Sequence, residues 1–169
     1  MAQLITVKKL VEEYELLPHP EGGYYKENYR SEEKIPLNAL PTCFKDEKCF
    51  STAIYFLLEK GNFSSFHRIK SDECWHFYAG AGLLIYILLQ DGNLQIIRLG
   101  NDLLKKEQFQ AIVPAGCWFA SEPAEGSEFS FVGCTVAPGF DFIDFELAQK
   151  DSLSEQFPGH MDLISRLVR

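Results

Sequence analysis

A succession of short apolar segments separated by turn residues is the feature that most restricts the fold of this 169-residue chain. Between Phe50 and Val136 these segments alternate with clusters of Gly, Pro, Asn, Asp and Ser. Many short strands spaced by turns are typical of an antiparallel sandwich or barrel. The predicted strands cover residues 50–58, 63–69, 73–78, 83–90, 94–99, 109–113, 117–121 and 128–136. We therefore expect one mostly β domain spanning residues 1–169.

Helical segments frame the β region at both ends. Thr6 can cap a first helix, and a last helix is predicted close to the end of the chain, because apolar residues recur in both places at helical spacing. These residues are Val7, Leu10, Val11 and Tyr14 in the first helix and Met161, Ile164, Leu167 and Val168 in the last. Short N- and C-terminal helices should therefore accompany the strands.

Two connections have distinctive sequences. Asp91-Gly92 stands between two apolar runs and predicts a two-residue hairpin turn, since both residue types tolerate positive φ. Residues 24–30 alternate like a strand, and a long polar loop follows over residues 31–48. A loop of more than about 15 residues within a compact domain often covers a site.

Charge and cysteine content restrict the partners of the chain. Its 24 acidic and 16 basic residues give a net charge of -8, the wrong sign for binding a phosphate backbone or an anionic membrane surface. The longest apolar run, residues 79–89, has about half of the roughly 20 residues that a membrane-spanning helix needs, and residues 1–6 do not resemble a secretory signal. The five cysteines include no C-x-x-C pair, so neither a disulfide framework nor a zinc ribbon is indicated. We expect a soluble cytoplasmic protein without a nucleic-acid or membrane partner.

One segment carries the clearest chemical pattern. Between Gly61 and Gly80, His67 and Glu73 stand at fixed offsets on two predicted strands joined by a turn. Such a turn allows both side chains to point into the same barrel mouth. This spacing resembles the first cupin motif, G-x5-H-x-H-x3-E-x6-G, with Ile69 in place of the second His.

The second cupin motif, G-x5-P-x-G-x2-H-x3-N, is matched only by Pro114-Ala115-Gly116. Phe119 replaces its His, while Gln108 and Pro123 replace its first Gly and its Asn. The resemblance implies a metal centre of three imidazoles and one carboxylate, which is reduced here to His67 and Glu73. Two protein ligands are too few for a firm divalent site. We therefore expect no metal cofactor, with a rewired site that includes Cys117 or His76 as the alternative.

Beyond these motifs, most of the chain resembles the cupin-5 family of largely uncharacterised proteins. The matching blocks are residues 19–25, 29–31, 52–58, 65–69, 72–78, 113–119 and 133–142. The resemblance implies a double-stranded β-helix, the jelly-roll cupin barrel, similar in fold to sugar-nucleotide epimerases (RmlC-like) and plant storage cupins. It also implies a homodimer, but no settled reaction.

The candidate site residues fall into two groups. The predicted catalytic residues are His67 and Glu73, and the predicted ligand-binding residues are Tyr25, Lys26, Arg30, Thr52, Trp75, His76 and Phe119. Tyr25, Lys26 and Arg30 either form a rim for an anionic substrate or pair with surface acids. Thr52 either contacts ligand or bonds to backbone, and the two aromatic residues Trp75 and Phe119 form either core or a platform for a ring or sugar. By strand parity His76 belongs to the opposite sheet face or to a dimer contact, with a pocket role as the alternative.

Three functions are consistent with these residues. The first is a metal-independent epimerase or isomerase of a sugar derivative or carboxylate, in which His67, oriented by Glu73, removes a proton next to a carbonyl. Tyr or Arg groups at the rim would then stabilise the oxyanion. The second is a non-catalytic metabolite-binding or sensing module, and the third is a metal-dependent cupin enzyme.

Overall fold

Two antiparallel β-sheets face each other across the interior of the protein in a computed structural model, which describes residues 5–169. Residues 1–4, part of the segment compared above with a secretory signal, lie outside the described residues. The strands are β1 (Leu17–Pro18), β2 (Tyr24–Arg30), β3 (Lys34–Ile35), β4 (Lys48–Cys49), β5 (Thr52–Glu59), β6 (Ser64–Arg68), β7 (Asp72–Gly80), β8 (Leu83–Leu88), β9 (Leu94–Leu99), β10 (Gln110–Val113), β11 (Trp118–Pro123), β12 (Phe129–Ala137) and β13 (Glu146–Leu147). The helices are α1 (Val7–Glu13), α2 (Lys150–Gln156) and α3 (Met161–Leu167).

The strand order is that of a jelly roll. One sheet has six strands in the order β1-β2-β5-β12-β7-β10, and the other has five in the order β13-β6-β11-β8-β9. Consecutive strands β6 and β7 lie in opposite sheets, so the turn between them crosses from one side of the interior to the other. The predicted mostly β jelly roll with short terminal helices is confirmed, as two facing sheets rather than one closed barrel.

Alternation along the strands builds the core between the sheets. Phe56 and Trp75 from the six-stranded sheet pack with Ile87 and Phe119 from the five-stranded sheet, and none is more than 1% exposed. Full burial of a side chain of this size contributes roughly 1.5–3 kcal/mol. The outer sheet faces are covered in part by the helices, α1 on the six-stranded sheet and α2 with α3 on the five-stranded sheet. Thr6 caps α1 as predicted, its side chain accepting from the backbone N–H of Lys9.

The hairpin between β8 and β9 is present, but its turn differs from the prediction. The backbone N–H of Leu89 donates to the carbonyl of Asn93, which leaves a loop of Gln90, Asp91 and Gly92 rather than two residues. Only Gly92 has positive φ, +86°. A three-residue loop that ends in a left-handed glycine is a common alternative to the two-residue turn.

The polar loop of residues 31–48 contains the strand β3, which pairs with β4 to form a small separate sheet. No residue of this loop lines the main cavity of the protein. Among residues 5–169, no helix combines the length and the apolar composition needed to span a membrane.

Candidate functional site

A cavity of about 400 Å³ opens between the two sheets. The six-stranded sheet contributes Tyr25, Glu27, Arg30, Thr52, Ile54, Phe56, Glu73, Cys134 and Val136, while β6 and the residue that follows it contribute His67 and Ile69. The remaining lining residues come from the turn before β2 and from the segment after β12, and they are His19, Glu21, Phe140, Asp141, Phe142 and Phe145.

Strand register sets the positions of the polar groups on the larger sheet. Arg30 pairs with Thr52, Thr52 with Val136, and Val136 with Glu73, so the four residues form one row across four adjacent strands. With strands roughly 4.8 Å apart, Arg30 and Glu73 are about 14 Å from each other. Arg30 therefore stands at one end of the row and cannot pair with the Glu73 carboxyl at the other.

The carboxylate that contacts His67 is Glu21. Nε2 of His67 is 3.1 Å from Oε2 of Glu21, and the Ser64 hydroxyl donates to Oε1 of Glu21 at 2.9 Å. His19 stands on the other side of Glu21, with its Nδ1 3.4 Å from the same Oε2 atom. The sequence-based assignment of Glu73 as the residue that orients His67 thus does not match the geometry.

Hydrogen bonds and burial together show where the protons of His67 and Glu21 lie. Nδ1 of His67 is 2.8 Å from the carbonyl oxygen of Ser65, which can only accept, so Nδ1 carries a hydrogen. Burial lowers the pKa of His67 to about 3 and raises that of Glu21 well above its ordinary value. The imidazole is therefore neutral, and the protonated Glu21 carboxyl donates a hydrogen bond to the lone pair on Nε2.

The turn before β2 holds Glu21 in place. The carbonyl of Glu21 accepts from the backbone N–H of Ser65 at 2.8 Å, and the N–H of His19 donates to Gly23. His19 itself is neutral, because burial lowers its pKa to about 4. The sequence analysis selected neither His19 nor Glu21 as a candidate site residue, although a His and a Glu beside two glycines were a signal that could have identified the site.

Gly23 has φ +73°, and a Cβ there would lie 2.6 Å from the carbonyl oxygen of Leu57 and 2.7 Å from the Leu58 side chain. We expect Gly23→Ala to cost at least about 1 kcal/mol more than Gly61→Ala, because overpacking adds to the left-handed backbone penalty of about 1–2 kcal/mol. Gly61 is the matched control, with φ +79° and no atom within 4 Å of the position that a Cβ would take. Urea denaturation of both variants measures the difference, and equal losses would contradict the tight packing of this turn.

Glu73 is the least compensated charged group of the cavity. It is 7% exposed, and among residues 5–169 no Lys, Arg or His nitrogen lies within 4.0 Å of its carboxylate. Burial raises its pKa to about 7, against the opposing effect of a hydrogen bond from the Cys134 thiol. Near neutral pH the side chain is therefore present in both protonation states.

Arg30 and Thr52 line the cavity but have partners already. Nε and Nη2 of Arg30 donate to the two carboxylate oxygens of Glu27 at 2.9 and 2.7 Å. The Thr52 hydroxyl accepts from the backbone N–H of Phe140 at 2.9 Å, the backbone-bonded alternative raised from the sequence. Tyr25, the other predicted rim residue in the lining, packs edge to face on His19.

Lys26, Trp75, His76 and Phe119 do not line the cavity. Lys26 has the opposite strand parity to Tyr25 and forms an ion pair with Glu15 outside. His76 lies on the other face of β7, bonded to Thr135 and Gln110. Trp75 and Phe119 are core residues behind the cavity wall, where Phe119 packs on the His67 ring at 4.0 Å between centroids.

The residues present do not fit a cupin metal centre. Ile69 and Phe119 are apolar and buried at two of the family's ligand positions. Cys117 belongs to the core and His76 to the outer face, so neither completes the set. Within residues 5–169 no group of three or more His, Cys, Asp or Glu side chains is arranged to hold an ion.

Comparison with known proteins agrees with the fold. Residues 8–148 match the family model Cupin_5, described as cupin superfamily (DUF985). An uncharacterised protein of Saccharomyces cerevisiae is 30% identical over 148 residues, which are 82% of this chain and 73% of the yeast protein.

Solved structures give the same result. A Shewanella oneidensis protein superimposes with a TM-score of 0.87 at 38% identity, over 98% of this chain and 99% of that one. A hypothetical protein from Leishmania major has the same TM-score at 32% identity, over 97% and 99% of the two chains. Bacillus subtilis oxalate decarboxylase is 16% identical with a TM-score of 0.54, over 89% of this chain and 36% of its own, a likeness of fold alone.

Proposed function

The chain belongs to the Cupin_5 family of the cupin superfamily, and we propose that it binds a small polar metabolite in its cavity and transfers a proton on it without a metal, as an epimerase or isomerase does. The observation that carries this proposal is Glu73, a buried carboxyl that faces the cavity and has no cationic partner among residues 5–169. Its pKa of about 7 suits a group that both takes and returns a proton near neutral pH.

The roles of the two predicted catalytic residues differ. Both ring nitrogens of His67 are occupied, by Ser65 and by Glu21, so His67 is not free to take a proton from a ligand. It instead holds the proton of Glu21 in place. Glu73, on β7 of one sheet, is the group that exchanges a proton with the substrate.

The reaction we infer is an enolisation. Glu73 removes the proton from the carbon next to a carbonyl, and the electrons of the broken C–H bond form a C=C bond while the carbonyl oxygen becomes negative. For the isomer, the hydroxyl proton on the carbon that lost its hydrogen passes to the oxyanion, and Glu73 returns its proton to the former carbonyl carbon, so that the hydroxyl oxygen becomes the new carbonyl oxygen. For the epimer, the enolate turns over in the cavity, Glu73 returns its proton to the opposite face of the same carbon, and the oxyanion becomes the carbonyl again. The Tyr25 hydroxyl is the rim donor best suited to the oxyanion, since most of the Arg30 donors are already engaged.

Solvent isotope exchange tests this proposal. Wild-type protein incubated in D₂O with a panel of aldoses, ketoses and their acids should introduce deuterium next to the carbonyl of a substrate, as measured by mass spectrometry. Glu73→Gln should lose this exchange by a factor of at least about 100, since general acid–base catalysis typically contributes about 10²–10⁴-fold. Equal exchange by the variant would overturn the role of Glu73.

A non-catalytic binding or sensing module is the second candidate. The occupied nitrogens of His67 and the occupied guanidinium of Arg30 favour it, because a preformed and bonded wall suits binding without turnover. A metabolite that co-purifies unchanged, together with no deuterium incorporation by wild-type protein, would support this function over the isomerase.

The homodimer stays a prediction, which light scattering checks.

A further inference from the structure

We propose that the cavity takes an uncharged substrate, a hydroxylated carbonyl compound without phosphate or carboxylate groups, and that Glu27 enforces this choice by occupying the guanidinium of Arg30. The inference rests on the proposed function and names the substrate class for the same site. An uncharged substrate differs from the anionic one that the sequence analysis considered for a rim of Tyr25, Lys26 and Arg30.

The charges on the cavity wall are unfavourable for an anion. The acidic side chains of Glu27 and Asp141 face it, together with Glu73 in its ionised state and the protonated, neutral carboxyl of Glu21, while Arg30 is the one Lys or Arg side chain among the lining residues that the structure describes. The two lining histidines are neutral, since burial lowers the pKa of each. An entering phosphate or carboxylate would lose its hydration and meet mainly groups of its own sign.

Glu27 competes with such a ligand for Arg30, because it already binds the guanidinium in an ion pair between two partly exposed side chains. The two parallel hydrogen bonds, from Nε to Oε1 and from Nη2 to Oε2, are the fork geometry that a ligand carboxylate would need. Nη2 also donates to the carbonyl of Phe140 at 3.1 Å, and Nη1 faces the Cys49 sulfur at 3.6 Å. Glu27 thus stands where the anionic group of a substrate would otherwise sit.

Lys48 and Lys70 are also compensated. Nζ of Lys48 is 2.5 Å from Asp144, and Nζ of Lys70 is 2.8 Å from the same carboxylate. Lys48 is also 3.9 Å from Asp141, and neither lysine lines the cavity. Their charges therefore balance the aspartates and leave no cation for a ligand.

The rest of the wall suits a neutral hydroxylated compound. Phe56, Phe142 and Phe145 offer aromatic surface for its C–H groups, beside the Glu73 and Glu21 carboxyls that can bond to hydroxyl and carbonyl groups. Burying such a compound costs less than burying an ion, since its polar groups can be satisfied by single hydrogen bonds.

Titration with acetate and inorganic phosphate tests the role of Glu27 without requiring turnover. The readout is the NMR signal of the Arg30 Nε–H group in wild type, Glu27→Gln and Glu15→Gln. Glu15→Gln is the matched control, because it makes the same charge change at an ion pair with Lys26 outside the cavity. We expect at least about tenfold tighter anion binding by Glu27→Gln alone, equivalent to about 1.4 kcal/mol.

Each outcome decides the inference. Saturable binding of either anion at Arg30 in wild type would overturn it, as would no gain in Glu27→Gln or an equal gain in Glu15→Gln. The isotope-exchange panel adds a second arm when it compares each neutral sugar with its uronic acid and its phosphate. Exchange confined to the neutral member supports the inference, and exchange confined to the acids overturns it. No exchange at all would count against the proposed function, while the titration would still judge the role of Glu27.

Discussion

Replacing Glu21 with alanine is expected to lower the free energy of unfolding by about 2–6 kcal/mol at neutral pH, because it leaves two buried polar groups unsatisfied at about 1–3 kcal/mol each. The substitution leaves Nε2 of His67 and the Ser64 hydroxyl without their partner in a buried site. Glu21→Gln should cost no more than about 1 kcal/mol, because its amide can donate to Nε2 and accept from Ser64 in the same positions. Urea denaturation measures both variants.

The comparison between the two variants tests where the proton lies. If His67 were charged and Glu21 ionised, Glu21→Gln would remove the negative charge that balances His67. It would then lower the free energy of unfolding nearly as much as Glu21→Ala does. A small loss for Gln and a large one for Ala therefore supports the neutral pair, and two large losses would contradict it. Ser64→Ala gives the scale of one hydrogen bond, about 1 kcal/mol.

The second large effect concerns the pH dependence of stability. We expect Glu73→Gln to be more stable than wild type by about 3 kcal/mol above pH 7, since the pKa of Glu73 rises from 4.5 to about 7 on folding and each pH unit corresponds to about 1.4 kcal/mol. Below pH 4.5 the carboxyl is protonated in both the folded and the unfolded chain, so the advantage disappears. Between these values the unfolded chain releases the proton first, and wild type loses stability as the pH rises.

Denaturation of both proteins across this pH range gives the two curves. Burial and the charge of Glu73 both raise the pKa of Glu21, so the difference between the curves reports the titration of Glu73 together with its coupling to Glu21. Glu128→Gln is the control, because Glu128 pairs with Lys60 on the surface and its removal should shift stability by a constant small amount. A constant difference between wild type and Glu73→Gln would show that the carboxyl is not desolvated.

Part of the site followed from spacing along the chain. His67 and Glu73 stand on consecutive strands joined by a short turn, so their offset already predicted that both would line one cavity. Their mutual contact did not follow, because β6 and β7 belong to opposite sheets and the two side chains meet different neighbours. Glu21 contacts His67 through a turn that is distant in sequence, and no local pattern specifies that approach.

Strand parity already placed His76 on the opposite sheet face by default, as the structure confirms, and the same reasoning could have removed Lys26. Lys26 and His76 alternate with the cavity-facing Tyr25 and Glu73, and both lie on the outer face. Parity could not separate Trp75 from Glu73, since they share a face. Their positions along the strand decide the outcome, because Trp75 lies deeper, between Phe56 and Phe119 in the core.

By itself the sequence determined the mostly β fold, the terminal helices and the apolar residues Ile69 and Phe119 at two cupin-motif positions, because these depend on periodicity, turn residues and residue type at fixed offsets. Tertiary structure decided which groups share a proton and which charges cancel. The pairs of His67 with Glu21 and of Arg30 with Glu27 depend on the packing of a turn and on a strand irregularity between Glu27 and Tyr29. Contacts of this kind are set by the position of side chains in three dimensions, so the neutral pair and the occupied guanidinium became evident only in the folded protein.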